Sequence, residues 1–470
     1  MRGATDLQEE ATGLLQQLLR MDTVNPPGRE RPAVDLLADY LDDAGLECRM
    51  FALDPARPNL VARLRGRGDG PTLGYLGHVD TVLADPDEWI HDPWGGTIAD
   101  GCLWGRGALD MKAQVVAEVV AAAALARGGH RPESGDLLVI ITVDEETGGR
   151  FGARFLTESH AKEVRCDFLL NEGGGQPVEH AGRRFYPVSC AEKSVFRFTV
   201  TTRGVAGHAA LPVAELNALV KMAPLIERLA NHQFAPDPPP EALELLHAIG
   251  ESGPLELTVK RLKSSAPGIA AVVAPMLHMT LAPTRITASE KINVVPSLAS
   301  LDVDCRAAPE VDEAEVRRRV TEVLGRGAYD LSFGHSRVGN RSASSSPLMS
   351  AIGPWIAAAD PGAVPVPVID PGMTDSHWFR AAFPECIAYG FFPLPHMTRK
   401  QFYTLIHGPN ERIELRDLGF ATRFYAELPN ALLGWRTPAR TESSDAVAAR
   451  RNGHVNGSPT RVVTQDGLGL

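Results

Sequence analysis

Apolar residues Leu7, Ala11, Leu14, Leu15 and Leu18 recur at spacings of three and four, the stripe of an amphipathic helix over residues 7–19. The turn-rich stretch MDTVNPPG (21–28) follows, and residues 32–45 read as a second helix stopped at Gly45. Short continuous apolar runs at 73–76, 137–143 and 168–170 predict buried strands, and the Ala/Val-rich stretch 111–126 predicts a helix between the first two. This alternation predicts an α/β layer, in which chemistry collects where strands end and loops begin. Each of the three runs leads directly into acidic or histidine residues.

From Ser194 the pattern changes. SVFRFTVTT alternates as a strand with one solvated face, residues 217–230 read as a helix, PDPPPEA interrupts, and 297–304 reads as another strand. These features predict a second domain at 194–306 inserted into a first domain made of 1–193 and 307–435, with a helix at 311–324 inside the returning part. Residues 436–470 contain no Phe, Tyr or Trp and are rich in Arg, Ser, Thr, Gly and Asn, so a disordered tail is expected there.

Composition narrows the class. A chain of 470 residues exceeds the ~250–300 at which a single core stops growing, consistent with two domains. With 44% hydrophobic and 22% charged residues it reads as a globular protein, and its net charge of −11 disfavours nucleic acid as a partner. No apolar run approaches the ~20 residues of a membrane span, and MRGATDLQEE lacks the order of a signal peptide, so a cytoplasmic location is expected. The six cysteines are scattered and read as reduced thiols. G-x-S-x-G, complete phosphate-loop and H-E-x-x-H strings are absent, so any catalytic metal must be held by dispersed ligands.

Five short segments offer such ligands. LGHVDTV places His78 and Asp80 two apart at a strand end, on one face, where a carboxylate could fix which imidazole nitrogen binds metal. WGRGALDMK sets Asp110 before a helix, where a plain N-cap is an equally good reading. ITVDEETGG ends a strand in Asp144, Glu145 and Glu146, whose mutual repulsion calls for a cation if the strand end is buried. FLLNEGGG delivers Glu172 into a glycine turn, and LIHGPNERI carries His407. Each alone has an ordinary structural explanation. Their recurrence at strand and loop ends makes that explanation poor.

The ordered set GHVDTV, GRGALDMK, DEETGG, NEGG and HGPNE resembles the dizinc metallopeptidases and amidohydrolases that include acetylornithine deacetylase, succinyl-diaminopimelate desuccinylase, aminoacylase and glutamate carboxypeptidase, over residues 7–433. The resemblance implies a zinc-peptidase-like three-layer α/β catalytic domain with an inserted α+β lid and dimerisation domain. It implies one zinc on His78 and Glu172, a second on Glu146 and His407, Asp110 bridging both, and a spacing of ~3.5–4 Å between them. Co2+ and Mn2+ are alternatives to zinc. Glu145 would be the general base and Asp80 the partner of His78.

In the inserted domain RGVAGHAALPVAELNAL resembles the lid motif, with His208 as a donor to the developing oxyanion, arriving from the opposite protomer of a homodimer. Asn293 and Arg306 would meet the substrate, the latter through a bidentate fork on a carboxylate, although an Arg ending a strand serves equally as a structural ion-pair partner. DPGMTDSHW resembles the pocket loop, with Gly372, Thr374 and Asp375; His377 and His396 are not assigned as zinc ligands. Glu rather than Asp at position 172 goes with deacylases and carboxypeptidases in that family. The expected activity is therefore hydrolysis of the amide of an N-acyl amino acid or short peptide by metal-activated water. A dipeptidase or carboxypeptidase at the same site, and a non-catalytic metal-dependent binding protein, are the alternatives.

Overall fold

The computed structural model describes residues 4–211, 213–435 and 462–464, which form two compact units. The first comprises residues up to 188, 343–365 and 374 onward. Its strands are hydrogen-bonded in the order Arg183–Glu192, Ile387–Gly390, Phe168–Asn171, Leu73–His78, Asp136–Thr142, Asn59–Arg65, Glu47–Ala52 and Val462–Thr464. Leu73–His78 sits in the middle, parallel to both Phe168–Asn171 and Asp136–Thr142. All six of its residues are buried, as expected of a parallel strand covered on both faces.

The helix Lys112–Arg127 lies on one face with Ala4–Leu19 and Leu415–Leu433 packed against it, and its apolar residues run all round because it is buried all round. On the other face Leu76, Leu138, Ile140 and Leu169 meet Phe155, Leu156, Phe379 and Phe383 from the helices Ala153–Ser159 and Ser376–Ala382. The result is the expected three-layer α/β arrangement. The helices predicted at 7–19, 32–45 and 111–126 and the three buried strands all form, with ends shifted by at most three residues.

Lys112–Arg127 also carries a buried acid. Glu118 accepts a hydrogen bond from Gln114 at 2.9 Å through Oε1, while Oε2 has no partner among the described residues. Burial pushes its pKa well above the ordinary 4.5. A native state that keeps a proton the unfolded chain releases loses stability as pH rises above that ordinary value. Glu118→Gln is therefore expected to raise Tm at pH 8 and to leave it nearly unchanged near pH 4, by scanning calorimetry. A lowered Tm at pH 8, or a pH-independent gap, would contradict this account of the residue.

The second unit comprises Ser189–Ser342 and Val366–Met373. A four-stranded antiparallel sheet, ordered Thr280–Thr287, Leu298–Ala307, Ser194–Arg203 and Tyr329–Arg337, packs Phe196, Phe198, Val200, Leu301 and Val303 against Met222, Leu225 and Leu229 of the helix Ala218–Asn231. The boundary expected at 306 is corrected to 342. The helix Glu313–Leu324 puts Val316, Val320 and Leu324 into this same core, and Tyr329–Arg337 pairs with Ser194–Arg203, so 307–342 completes the second unit. Three helices, Pro240–Ala248, Leu255–Ser265 and Pro267–Leu277, follow the Pro-rich stretch and were not read from the sequence. Of the tail 436–470, Val462–Thr464 forms a strand parallel to Glu47–Ala52; the rest lies outside the described residues.

Candidate metal centre

The parallel strands deliver the acids and His78 to one edge of the sheet. The register pairs His78 with Thr142 and Tyr75 with Leu170, so the segments carrying Glu145 and Glu172 begin beyond the same strand ends as His78. There His78 Nε2 lies 3.2 Å from Asp110 Oδ1, 3.8 Å from Glu172 Oε2 and 4.0 Å from Glu145 Oε2. His407 Nε2 lies 3.1 Å from Asp110 Oδ2 and 3.2 Å from Glu146 Oε2. Each oxygen of Asp110 thus faces a different histidine. The donors fall into two groups, His78, Glu145 and Glu172, and Asp110, Glu146 and His407, within each of which the donor atoms lie no more than 4.8 Å apart.

Electrostatics makes this crowding informative. Burial pushes Glu172 up to about 8, with Asp110 beside it adding to the effect, and raises Glu145 and Glu146 as well. Burial would also raise Asp110, but the imidazoles of His407 and His78 beside its two oxygens outweigh this and hold it well below its ordinary value. His407 is pushed up to about 10 by Asp110 and Glu146. For His78 burial acts downward, and Asp110, Asp80 and Glu172 overcome it. Four carboxyl groups around two imidazoles are an excess of negative charge in a poorly solvated place. Protonated histidines and neutral acids relieve it in part; a pair of dications would relieve it directly. Within the site His78 Nε2 and Glu146 Oε1 are buried without hydrogen-bond partners among the described residues. The donor set fits divalent metal.

Asp80 faces both His78 and the turn that carries the acids. His78 Nδ1 lies 3.0 Å from the main-chain oxygen of Asp80 and 3.5 Å from its carboxylate. The carboxylate also accepts from the backbone N–H groups of Glu145 and Glu146, at 3.2 and 3.1 Å, and so fixes the short turn that presents both acids. Asn25 Nδ2 donates to Asp80 at 2.9 Å and to Asp144 at 3.1 Å. Arg57 pairs with Asp144 at 3.3 Å and with the buried Glu30. Gly28, at φ +80°, lies where a Cβ would fall 2.4 Å from the Arg57 guanidinium, so both the backbone conformation and the buried ion pair favour glycine in this turn.

The N-cap reading of Asp110 fails, since Met111 occupies the cap position of Lys112–Arg127 and Asp110 is turned to the histidines. Its loop is instead held by Glu411. Thr374 accepts from Asn171 Nδ2 at 3.2 Å, and Asp375, pushed up to about 7 by burial, accepts from Thr142 at 2.7 Å. His377 is buried beside Trp378 and His396 pairs with Asp417 at 2.7 Å, both outside the two donor groups.

His208, Asn293, Arg306 and Gly372 belong to the second unit. His208 is exposed, with Nδ1 accepting from the Ala210 N–H, and the Asn293 carbonyl accepts from Ala209. Gly372 N–H donates to Asp370. Arg306 holds Asp304 through Nε and Nη2 and the Pro371 carbonyl through Nη1, so much of its fork is engaged within its own unit, as the ion-pair reading anticipated.

A family model described as Peptidase family M20/M25/M40 matches residues 74–431, most of the chain. The chain belongs to this family. Among relatives of this M20/M25/M40 member is a succinyl-diaminopimelate desuccinylase of Cereibacter sphaeroides, 36% identical over 232 residues, which are 48% of this chain and 57% of that protein. The chain thus spans little more than half the length of that relative. A desuccinylase of Alkalilimnicola ehrlichii is 26% identical over 440 residues, 90% of this chain and 100% of that protein. In fold the chain is similar to an M20 family metallo-carboxypeptidase from Sulfolobus solfataricus, with a TM-score of 0.69 at 17% identity, covering 90% of this chain and 99% of that one.

Sequence reasoning missed Asn25, Glu30, Arg57 and Glu411 in this family member. Asn25 sits in the stretch read only as a turn, and Glu411 inside a motif quoted for its histidine. An acid left over in a motif otherwise accounted for was the available signal.

Proposed function

We propose that this protein is a metal-dependent hydrolase that cleaves the amide bond of an N-acyl amino acid or a short peptide, with two zinc ions as the resident metals and Co2+ or Mn2+ as substitutes. The observation that carries this reading is Asp110, whose two carboxylate oxygens are shared between His78 and His407. His78 and Glu172 would hold one ion, Glu146 and His407 the other, and Asp110 both. When bound, such ions lower the pKa of water and polarise an amide carbonyl. Asp80 fixes the turn that aims Glu145 and Glu146. Glu145 Oε2 takes the proton of the attacking water and returns it to the leaving nitrogen.

On the substrate side we place His208, Asn293, Arg306, Gly372 and Thr374, with His208 donating to the developing oxyanion. Binding of a carboxylate by Arg306 would require exchange with Asp304. A homodimer through residues 194–306 would bring His208 from the partner; Leu211 and Ile292, close to His208 and Asn293 in sequence, are 80% and 103% exposed and support such a contact. An active monomer in sedimentation would contradict that arrangement. We place the protein in the cytoplasm; no helix among the described residues is long and apolar enough to cross a membrane.

With the desuccinylase relatives as the guide, we rank N-succinylated diamino acids first among candidate substrates, followed by other N-acyl amino acids. A dipeptidase or carboxypeptidase is the second reading, favoured by the metallo-carboxypeptidase fold likeness. The test is release of free amine from N-succinyl-diaminopimelate, N-acetyl amino acids and dipeptides, with and without chelator. Chelator-sensitive cleavage of an acyl substrate is expected, and product analysis separates the two readings. Cleavage unaffected by removal of metal, or metal-loaded protein inert toward the whole panel, would reject the proposal.

A further inference from the structure

Four residues beyond His407 the chain reaches Glu411, fully buried, immediately before a short strand, Arg412–Glu414, that pairs antiparallel with Cys102–Trp104. Its carboxylate is turned wholly toward the segment that carries Asp110. Oε1 accepts from Leu109 N–H at 2.6 Å and Asp110 N–H at 3.0 Å; Oε2 accepts from Gly107 N–H at 3.0 Å and Arg106 Nη1 at 2.7 Å. Its main-chain oxygen accepts from Gly105 N–H at 3.0 Å. A carboxylate offers about four acceptor positions, and here each is filled from residues 106–110.

Three consequences follow from this arrangement. Segment 105–110 forms no helix or strand of its own; Arg106 and Ala108 N–H donate to the main-chain oxygens of Pro93 and Gly105, while the N–H groups of Gly107, Leu109 and Asp110 rely on this one side chain. Gly107, at φ +88°, has Thr81 and Lys112 2.9 and 3.0 Å from where a Cβ would stand, so the loop is also sterically confined. Because Glu411 and His407 share one segment, the carboxylate ties the position of Asp110 to that of His407.

We propose that Glu411 is a positioning residue that sets the placement of Asp110 relative to both histidines, and through it the affinity of both metal positions. The inference rests on the metal reading given under Proposed function. Glutamine cannot substitute for this acid, although it has the same shape. Its NH2 group would face either the Leu109 and Asp110 N–H groups or the Gly107 N–H and Arg106, donor against donor, leaving buried donors unsatisfied. Loss of an outer hydrogen-bond partner typically weakens metal binding by 10–100-fold.

The test titrates Zn2+ into the metal-free full chain against a competing chromophoric chelator, for the parent, Glu411→Gln and His407→Ala. Far-UV circular dichroism and the thermal midpoint of the metal-free proteins establish folding independently. Glu411→Gln is expected to lose about 10–100-fold in affinity for both equivalents, whereas His407→Ala loses affinity for one. Should Glu411→Gln fail to fold, Arg106→Gln, which removes one of the four donors and leaves the carboxylate, is expected to weaken both equivalents by a smaller factor. A folded Glu411→Gln protein within about twofold of the parent at both equivalents, a loss confined to one equivalent, or a folded Arg106→Gln protein with unchanged affinity would each overturn the inference while leaving the metal reading intact. A parent chain that takes up no pair of ions would overturn the metal reading, and the inference with it.

Discussion

Glu145→Gln is expected to lower kcat by about 10²–10⁴, the range for a positioned acid–base group, while the protein still takes up two metal ions. Glutamine keeps the size of the side chain but cannot receive a proton. Glu145 stands in the donor group with His78 and Glu172, its Oε2 4.0 Å from His78 Nε2, where a carboxylate can receive a proton from a water held between them. Parallel measurement of kcat and bound metal separates its possible roles. A rate within tenfold of the parent would remove Glu145 from proton transfer, and a rate loss accompanied by loss of one metal equivalent would make it a ligand instead.

Asp110→Asn should be more damaging, because one change touches both metal positions. The amide keeps one oxygen, so one histidine loses its carboxylate partner and the other faces a neutral acceptor. A direct ligand is expected to matter at least as much as a ligand's own hydrogen-bond partner, so affinity for both ions should fall by about 100-fold or more and hydrolysis should fall to background. Elemental analysis of dialysed protein checks the first part and the acyl-substrate assay the second. Retention of two ions per chain would contradict the bridging role.

The sequence made the first unit legible because its strands are buried on both faces and therefore read as unbroken apolar runs, each ending in the residue that matters. The runs at 73–76, 137–143 and 168–170 became the parallel strands whose ends lead to His78, Glu145 and Glu146, and Glu172. Asp110 and His407 were found by their motifs rather than by periodicity, since neither belongs to a regular element. What stayed hidden was long-range. Glu411 meets Asp110 across 301 residues and Asn25 meets Asp144 across 119, and no local pattern encodes such pairings. The second unit was read too short for a related reason: Tyr329–Arg337 has a partly exposed alternation, and its partner Ser194–Arg203 lies more than a hundred residues earlier. Asp80 shows a subtler limit. Its proximity to His78 was correctly read, but its carboxylate is spent on the Glu145 and Glu146 N–H groups, a contact that depends on the neighbouring strand.

The most direct test of the shared-aspartate centre is anomalous diffraction at the zinc edge from crystals of the metal-loaded protein. Two peaks are predicted, one against His78 and Glu172 and one against Glu146 and His407, with the Asp110 carboxylate touching both. A single peak, or two peaks of which only one contacts Asp110, would contradict the account.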